Sequence, residues 1–225
     1  MLNSTPNVYV VDADAASRAS LAFLIRQEGW TPRCFESAAG LLAASSPVVP
    51  SCVLLDPGMA ERGEAEVQRS IASDRGATPV IVLTARHDVP LTVRAMKAGA
   101  IEVLTKPCAG DALARVIALA LEHSRELLES QKELRGLRER YQTLTPRERE
   151  VMMHVVAGRL NKHVASTLFI SVITVKAHRG RVMRKMRADS LADLVGMALR
   201  LQLAHTMSPN GINELSHHSA SFVMS

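Results

Sequence analysis

The 225-residue sequence predicts an α/β domain built on a parallel sheet, joined by a helical connector to a small all-α domain. Three observations predict this. From residue 7 to 121 short apolar runs alternate with amphipathic segments, the pattern of a parallel sheet covered by helices on both faces. From Thr145 onward only helical signals and their caps occur. Charge divides along the same lines: residues 1–121 carry 11 Lys/Arg against 12 Asp/Glu, residues 122–144 carry 5 against 5, and residues 145–225 carry 11 against 5. The whole net charge of +5 therefore comes from the C-terminal third. Hydrophobic residues at 47% support real cores, and aromatics at 3% make those cores aliphatic.

In the first domain, strands are expected at Val8–Val11, Thr31–Phe35, Cys52–Leu55, Pro79–Leu83 and Ile101–Leu104, with helices near 17–27, 37–45, 64–73, 90–98 and 111–121. Ligands of parallel α/β sheets gather at the carboxyl ends of the strands. Asp12 follows the first strand, Asp56 the third, Thr84 the fourth and Lys106 the fifth. Two carboxylates, a hydroxyl and an ammonium at one sheet edge describe a site for a divalent cation and a phosphoryl group. The carboxylates suit the hard cation, one of them can act as nucleophile, and the hydroxyl and ammonium suit phosphate oxygens.

The connector from Glu122 to Leu144 is dense in balanced charge, and its leucines recur every seven residues: Leu121 with Leu128, Leu127 with Leu134 and Tyr141, Leu137 with Leu144. That spacing suits a dimerising coiled coil, or a helix that simply extends the one before it.

The third segment opens on Thr145-Pro146-Arg147-Glu148, a capping box with Pro in the first helical position. Its helix stops at Gly158. A second helix is expected over 161–168, Phe169-Ile170-Ser171 form a tight turn, and Ser171 caps a third helix reaching Met186. Ser190 with Asp193 starts a fourth. Two short helices joined by a tight turn, the second basic on its outer side, make a helix-turn-helix. Helical spacing aligns Val172, Val175, Val182 and Met186 on an apolar stripe. It sets Ile173, Lys176, Ala177, Gly180 and Arg184 opposite, with Arg181 and Lys185 beside them. Arg179 falls toward the rim of the stripe, and His178 is expected to be packed and hydrogen-bonded. Cations around very small residues suit close approach of the helix to a nucleic-acid groove.

The pieces VYVVDAD, CVLLDPGM and VIVLTARHDVPLTVRAMKAGAIEVLTKP resemble the receiver domain of bacterial response regulators, which implies the flavodoxin-like (CheY-like) strand order 2-1-3-4-5. By that resemblance Asp56 is the phosphoacceptor, Thr84 the switch hydroxyl and Lys106 the phosphate-contacting lysine. Mg²⁺ would be held by Asp12, Asp56 and the backbone carbonyl of Gly58. The chain departs from the family pattern at four places. Ala13 stands where a second acid usually binds the metal, so Mg²⁺ is expected to be held weakly, and Asp14, shifted by one, points elsewhere. Val103 replaces the usual aromatic of the fifth strand, Ala60 a usual proline, and Cys108 a common Phe.

The block LTPREREVMMHVVAGRLNKHVASTLFISVITVKAHRGRVMRKM with SLADLVGMALRL resembles the LuxR-type DNA-binding domain, and the two together resemble the NarL/FixJ group of response regulators. The resemblance implies double-stranded promoter DNA and a sensor histidine kinase as partners, with no enzymatic activity. It sets Lys176, Ala177 and Gly180 toward the groove and Asn161, Lys162 and Thr174 near phosphates, with Arg179, Arg181 and Arg184 completing the DNA-binding group.

The expected domains are a receiver over 1–122, a linker that forms a homodimer over 123–143, a four-helix LuxR-type domain over 144–204 and a disordered tail over 205–225. Three cysteines (Cys34, Cys52, Cys108), an odd number without metal or redox spacing, with no signal peptide and no long apolar run, point to a cytoplasmic protein without a membrane span. Three functions stay open at this level: a phosphorylation-switched DNA-binding regulator, a DNA binder whose receiver responds to a partner or ligand instead, and a phosphotransfer module.

Overall fold

The computed structural model describes residues 5–45, 48–59, 68–71, 73, 75–85 and 88–201. The chain divides after Ser130 into two compact units.

The first unit is a five-stranded, all-parallel sheet. Its strands are β1 (Asn7–Val11), β2 (Thr31–Phe35), β3 (Ser51–Leu55), β4 (Val80–Thr84) and β5 (Ala100–Thr105), in the order β2-β1-β3-β4-β5. This is the expected 2-1-3-4-5 topology. The central strands β3 and β4 are buried along their whole length, as continuous apolar runs in a parallel sheet must be. β4 begins one residue later than expected and ends on Thr84. Pro79, just before it, has no N–H for the ladder but accepts from Val53 N at 2.9 Å.

Helix α1 (Ala15–Gln27) and the first part of the long helix α4 (Gly110–Gln142) cover one face, over Val8, Val10, Cys52, Leu54, Ile81 and Leu83. Helices α2 (Ala38–Ala43) and α3 (Val89–Lys97) lie on the other, over Tyr9, Val11, Val53, Leu55, Val80 and Val82, joined there by the buried Ile71. Each short helix starts at a side-chain cap: Asp14 for α1, Ser37 for α2 and Asp88 for α3. Of the helix expected over 64–73, residues 64–67 and 72 lie outside the described residues, as do Ala60 and the tail 205–225.

The segment expected as a separate 111–121 helix and connector is a single 33-residue helix, α4. Ser124 fastens it to the first unit: its fully buried Oγ donates to Ala77 O at 2.5 Å and accepts from Ser51 N at 2.9 Å. The leucine spacing divides between two cores. Leu121 is buried in the sheet core. Leu137 and Leu144 are buried in the core of the second unit, with Tyr141 packed against it. Only Leu127, Leu128 and Leu134 remain partly exposed between them. A helix that serves two cores must carry an apolar face for each, and a seven-residue spacing does not distinguish that from a coiled-coil seam.

The second unit contains α5 (Pro146–Val156), α6 (Asn161–Leu168), α7 (Val172–Met186) and α8 (Leu191–Arg200). Thr145 and Glu148 form the expected capping box, Gly158 ends the first helix at a φ of +75°, Ser171 caps α7 and Ser190 caps α8. The core is aliphatic: Val151, Met152, Val155, Val164, Val175, Val182, Met186 and Leu194. Val172, expected on the buried stripe, is 40% exposed, because the first turn of α7 projects beyond this core.

Candidate acidic pocket and nucleic-acid interface

The pocket arises where the ladder continues one residue past the strands. Asp56 N donates to Val11 O at 2.9 Å and Asp12 N to Phe35 O at 3.2 Å, so both aspartates leave neighbouring strands at one edge. Lys106 N donates to Thr84 O at 2.7 Å, which brings the lysine to the same edge. Its ammonium lies between the carboxylates, 2.6 Å from Asp12 Oδ2 and 2.7 Å from Asp56 Oδ2. Asp56 Oδ1 accepts from Gly58 N at 2.8 Å, and a Cβ added at Gly58 would press on that oxygen from 3.1 Å. Thr84 is buried beside them, 4% exposed.

Ser17 closes the group. Its hydroxyl donates to Asp12 Oδ2 at 2.6 Å and lies 3.2 Å from the Lys106 ammonium. Burial raises the Asp12 carboxyl, yet the hydrogen bonds from Lys106, Ser17 and Asp14 N, with the lysine's charge, hold it below the ordinary carboxylate range. Burial works against the Lys106 ammonium too, and the two aspartates outweigh it and raise it above the usual lysine value.

Asp14 does not stand in for the acid absent at Ala13, because its oxygens cap α1, accepting from Ala16 N at 3.1 Å and Ser17 N at 3.3 Å. Arg18 straps the same turn, donating at 2.8 Å to the carbonyls of both Asp12 and Ala13 and pairing with Glu36 at 3.0 Å. The donor set fits Mg²⁺ in kind, since carboxylate and peptide oxygens are hard ligands and one or two carboxylates with water are enough. It does so with two carboxylates, and no cluster of three His, Cys, Asp or Glu exists among the described residues.

On the second unit, α7 presents Lys176, Ala177, Gly180, Arg181 and Arg184 on its exposed side, with Arg179 partly buried at the rim. Lys162 is exposed on α6. None of these five cations (Lys162, Lys176, Arg179, Arg181, Arg184) has an ion pair or side-chain hydrogen bond among the described residues. Gly180 has no atom within 4 Å of where a Cβ would stand, so nothing crowds this surface. Thr174 Oγ1 lies 2.8 Å from the capping hydroxyl of Ser171. Asn161, the first residue of α6, keeps its Oδ1 buried without a hydrogen-bond partner among the described residues.

Two expectations change here. Lys185, placed by spacing beside the exposed cations, turns inward: its ammonium is 2.7 Å from Glu148 Oε2 and 3.0 Å from Thr143 O. Glu148 also accepts from Thr145 N at 2.9 Å and, among the described residues, is the one buried acid of this unit, holding the lysine. His178 is packed as expected, but its Nδ1 is buried and unpartnered among the described residues.

A family model for the response regulator receiver domain matches residues 8–118, and one for bacterial regulatory proteins of the luxR family matches residues 142–198. Nodulation protein W of Bradyrhizobium diazoefficiens is 40% identical over 88% of this chain and 87% of its own length. The chain belongs to the NarL/FixJ group of response regulators.

Other similar members include the transcriptional regulatory protein FixJ of Rhizobium meliloti, 38% identical over 85% of this chain and 94% of its own, and TmoT of Ectopseudomonas mendocina, 36% identical over 87% and 89%. Among solved structures, the response regulator StyR matches with a TM-score of 0.73 at 35% identity, covering 88% of this chain and all of that one. This response regulator is thus a DNA-binding transcriptional regulator of a two-component system, and receiver domains of the family bind Mg²⁺ at the phosphorylation site. No described helix is long and apolar enough to cross a membrane.

Sequence reasoning missed Ser17, Arg18 and the Glu148–Lys185 pair. Ser17 carried one signal: it lies one turn into the helix that follows Asp12, on the side facing the sheet edge. Arg18 and Lys185 carried none, since their partners are set by packing.

Proposed function

We propose that this response regulator accepts a phosphoryl group on Asp56 from a sensor histidine kinase, and that the modified receiver adjusts DNA binding by the second unit. The carrying observation is the Lys106 ammonium held between Asp12 and Asp56 within 2.7 Å of each. In the transfer, a carboxylate oxygen of Asp56 bonds to phosphorus while the donor's P–N or P–O bond breaks and its electron pair leaves with the donor. Lys106 balances the growing charge, and the Thr84 hydroxyl faces a phosphoryl oxygen. When Mg²⁺ is bound, Asp12, Asp56 and the Gly58 carbonyl would hold it, and it would supply positive charge to the phosphoryl oxygens. The chain itself is a phosphoacceptor and not an enzyme, and it acts in the cytoplasm.

The DNA group is Lys176, Ala177, Gly180, Arg181 and Arg184 of α7, with Arg179 at the rim and Asn161, Lys162 and Thr174 toward the backbone. Lys162, Lys176, Arg179, Arg181 and Arg184, which have no ionic partner among the described residues, leave their charge available to DNA phosphates. A homodimer, through the receiver or the exposed middle of α4, would bind half-sites about one helical turn apart.

A second reading is favoured by Ala13 and Val103: the receiver is phosphorylated, yet the response is muted, and a partner or ligand sets activity. A valine has no ring to exchange between buried and exposed positions. Incubation with acetyl phosphate and Mg²⁺, followed by intact-mass measurement and DNA titration, separates the two. Phosphate on wild type and none on Asp56→Asn is expected under both readings, and little change in DNA affinity on phosphorylation would favour the second. A large Mg²⁺-dependent gain in affinity, lost in Asp56→Asn, would restore full phosphorylation control.

A further inference from the structure

The exposed side of α7 is not uniformly cationic. Ile173, Ala177, Gly180 and Arg184 follow one another at steps of four, three and four, one line along the helix, and all four are exposed. Ile173 is the second residue of α7 and 81% exposed. A single exposed isoleucine is ordinary on a protein surface; what sets Ile173 apart is its place, at the start of α7 on the same exposed line as Ala177 and Gly180. Recognition helices of helix-turn-helix domains enter the major groove by their N-terminal residues, which places Ile173 among the first groups to meet base edges.

We propose that Ile173 reads the C5-methyl group of a thymine and is a specificity-determining residue of this regulator. The inference rests on the DNA-binding reading above and adds the base class to it. The chemistry is restrictive. Ile173 and Ala177, one turn apart, carry no donor or acceptor, so this end of the line cannot distinguish base edges by hydrogen bonding. The thymine methyl is the apolar feature that the major groove offers, and A·T pairs present it in a fixed position. The cations flank this end rather than occupy it: Lys176 and Arg181 stand beside the line and Arg184 lies eleven residues on from Ile173. Gly180 leaves the backbone uncrowded, so the helix can approach closely enough for a methyl contact.

The test uses full-length protein with Mg²⁺ and acetyl phosphate to enrich duplexes from a random-sequence pool. Each thymine of the enriched duplex is then replaced singly by deoxyuridine, which removes the methyl and keeps the pairing. Losing one buried methyl should weaken wild-type binding about fourfold at one or more thymines. Ile173→Ser should abolish sensitivity at that thymine alone, while Ile173→Val should keep most of it; both should melt like wild type, because the side chain is exposed. Uniform indifference to deoxyuridine, or equal sensitivity in wild type and Ile173→Ser, would overturn the proposal and leave DNA binding standing. Failure to enrich any duplex would overturn the DNA reading together with it.

Discussion

At the carboxyl edge of the sheet, Asp12, Asp56 and Lys106 are closed on one another within 2.7 Å, whereas Lys162, Lys176, Arg179, Arg181 and Arg184 in the second unit have no ionic partner among the described residues. The difference follows from exposure. Asp12 is 4% exposed, and a buried carboxylate is tolerated only when paired and hydrogen-bonded. The cations of α7 sit in water, where leaving them unpaired costs little, and their charge remains available to phosphates. The dividing line runs through one helix: Arg184 faces solvent, and Lys185, the next residue, is held by buried Glu148. Basic residues in a recognition helix therefore have two distinct uses, and adjacent positions can differ.

The largest expected effect comes from breaking the closed type of pair. Glu148→Ala removes an acid 2% exposed, its bond to Thr145 N and the partner of Lys185, and should destabilise the second unit by about 3 kcal/mol. Urea unfolding followed by far-UV circular dichroism reads this, and a loss below about 1 kcal/mol would erase the contrast between Lys185 and Arg184. Acid should act on the same group. Burial raises the Glu148 carboxyl, but Lys185 and the Thr145 N–H bring it below its ordinary value. A lowered folded value contributes stability above the unfolded pKa of about 4.3, and that contribution is lost as pH falls through the folded value.

Next in size is Lys106→Met, which leaves two carboxylates facing each other. Because Lys106 and Asp56 side chains are 23% and 22% exposed, the cost should be smaller, about 2 kcal/mol. Trp30, the one tryptophan, packs on the sheet core and reports this unit by fluorescence. Millimolar Mg²⁺ should recover more stability in Lys106→Met than in wild type, since a cation that binds only the folded pocket stabilises it. Equal responses to Mg²⁺ would argue that the ammonium does not compete with the metal. Ala13→Asp should strengthen the Mg²⁺ response of the wild-type lysine background by supplying another oxygen ligand.

For the open type, Lys176→Ala should cost about 1.5 kcal/mol of specific binding if it reads a base edge, without changing thermal stability. Lys162→Ala should instead weaken all sequences alike and reduce the salt slope by about 0.9. Identical salt slopes for both variants and wild type would break the assignment of this face to DNA.

The smallest expected effect is on the turn before α7. Phe169 is 95% exposed at a φ of 55°, a left-handed conformation that costs a bulky residue about 1 kcal/mol. Phe169→Gly should therefore stabilise the second unit by roughly that amount, since no buried contact is lost. Destabilisation on thermal melting would show that the ring packs in solution.

Much of this molecule was legible in its sequence because the relevant signals are short-range. The five strands were read from apolar runs and the helix starts from Thr145-Pro146, Ser171 and Ser190, whose caps bond residues two or three positions away. Asp12, Asp56 and Lys106 group together from sequence alone because parallel sheets collect their polar ends on one edge. Helical spacing likewise assigned Lys176, Ala177, Gly180 and Arg184 to the exposed side of α7.

Tertiary structure decided what spacing leaves degenerate. A leucine every seventh residue suits a partner helix or a helix's own domain, and packing sent Leu121 to the sheet core and Leu137 and Leu144 to the helical one. Lys185 and Arg181 look equivalent along α7 until Glu148, 37 residues from the lysine in sequence, occupies one side of it. Ser17 donates to Asp12, five residues before it, but meets Lys106, 89 residues away, only because the lysine follows β5 to the same edge. Caps and periodicity act within a turn or a strand, so the chain states them locally. Partners brought together by the fold depend on where whole elements pack, and no local pattern encodes that.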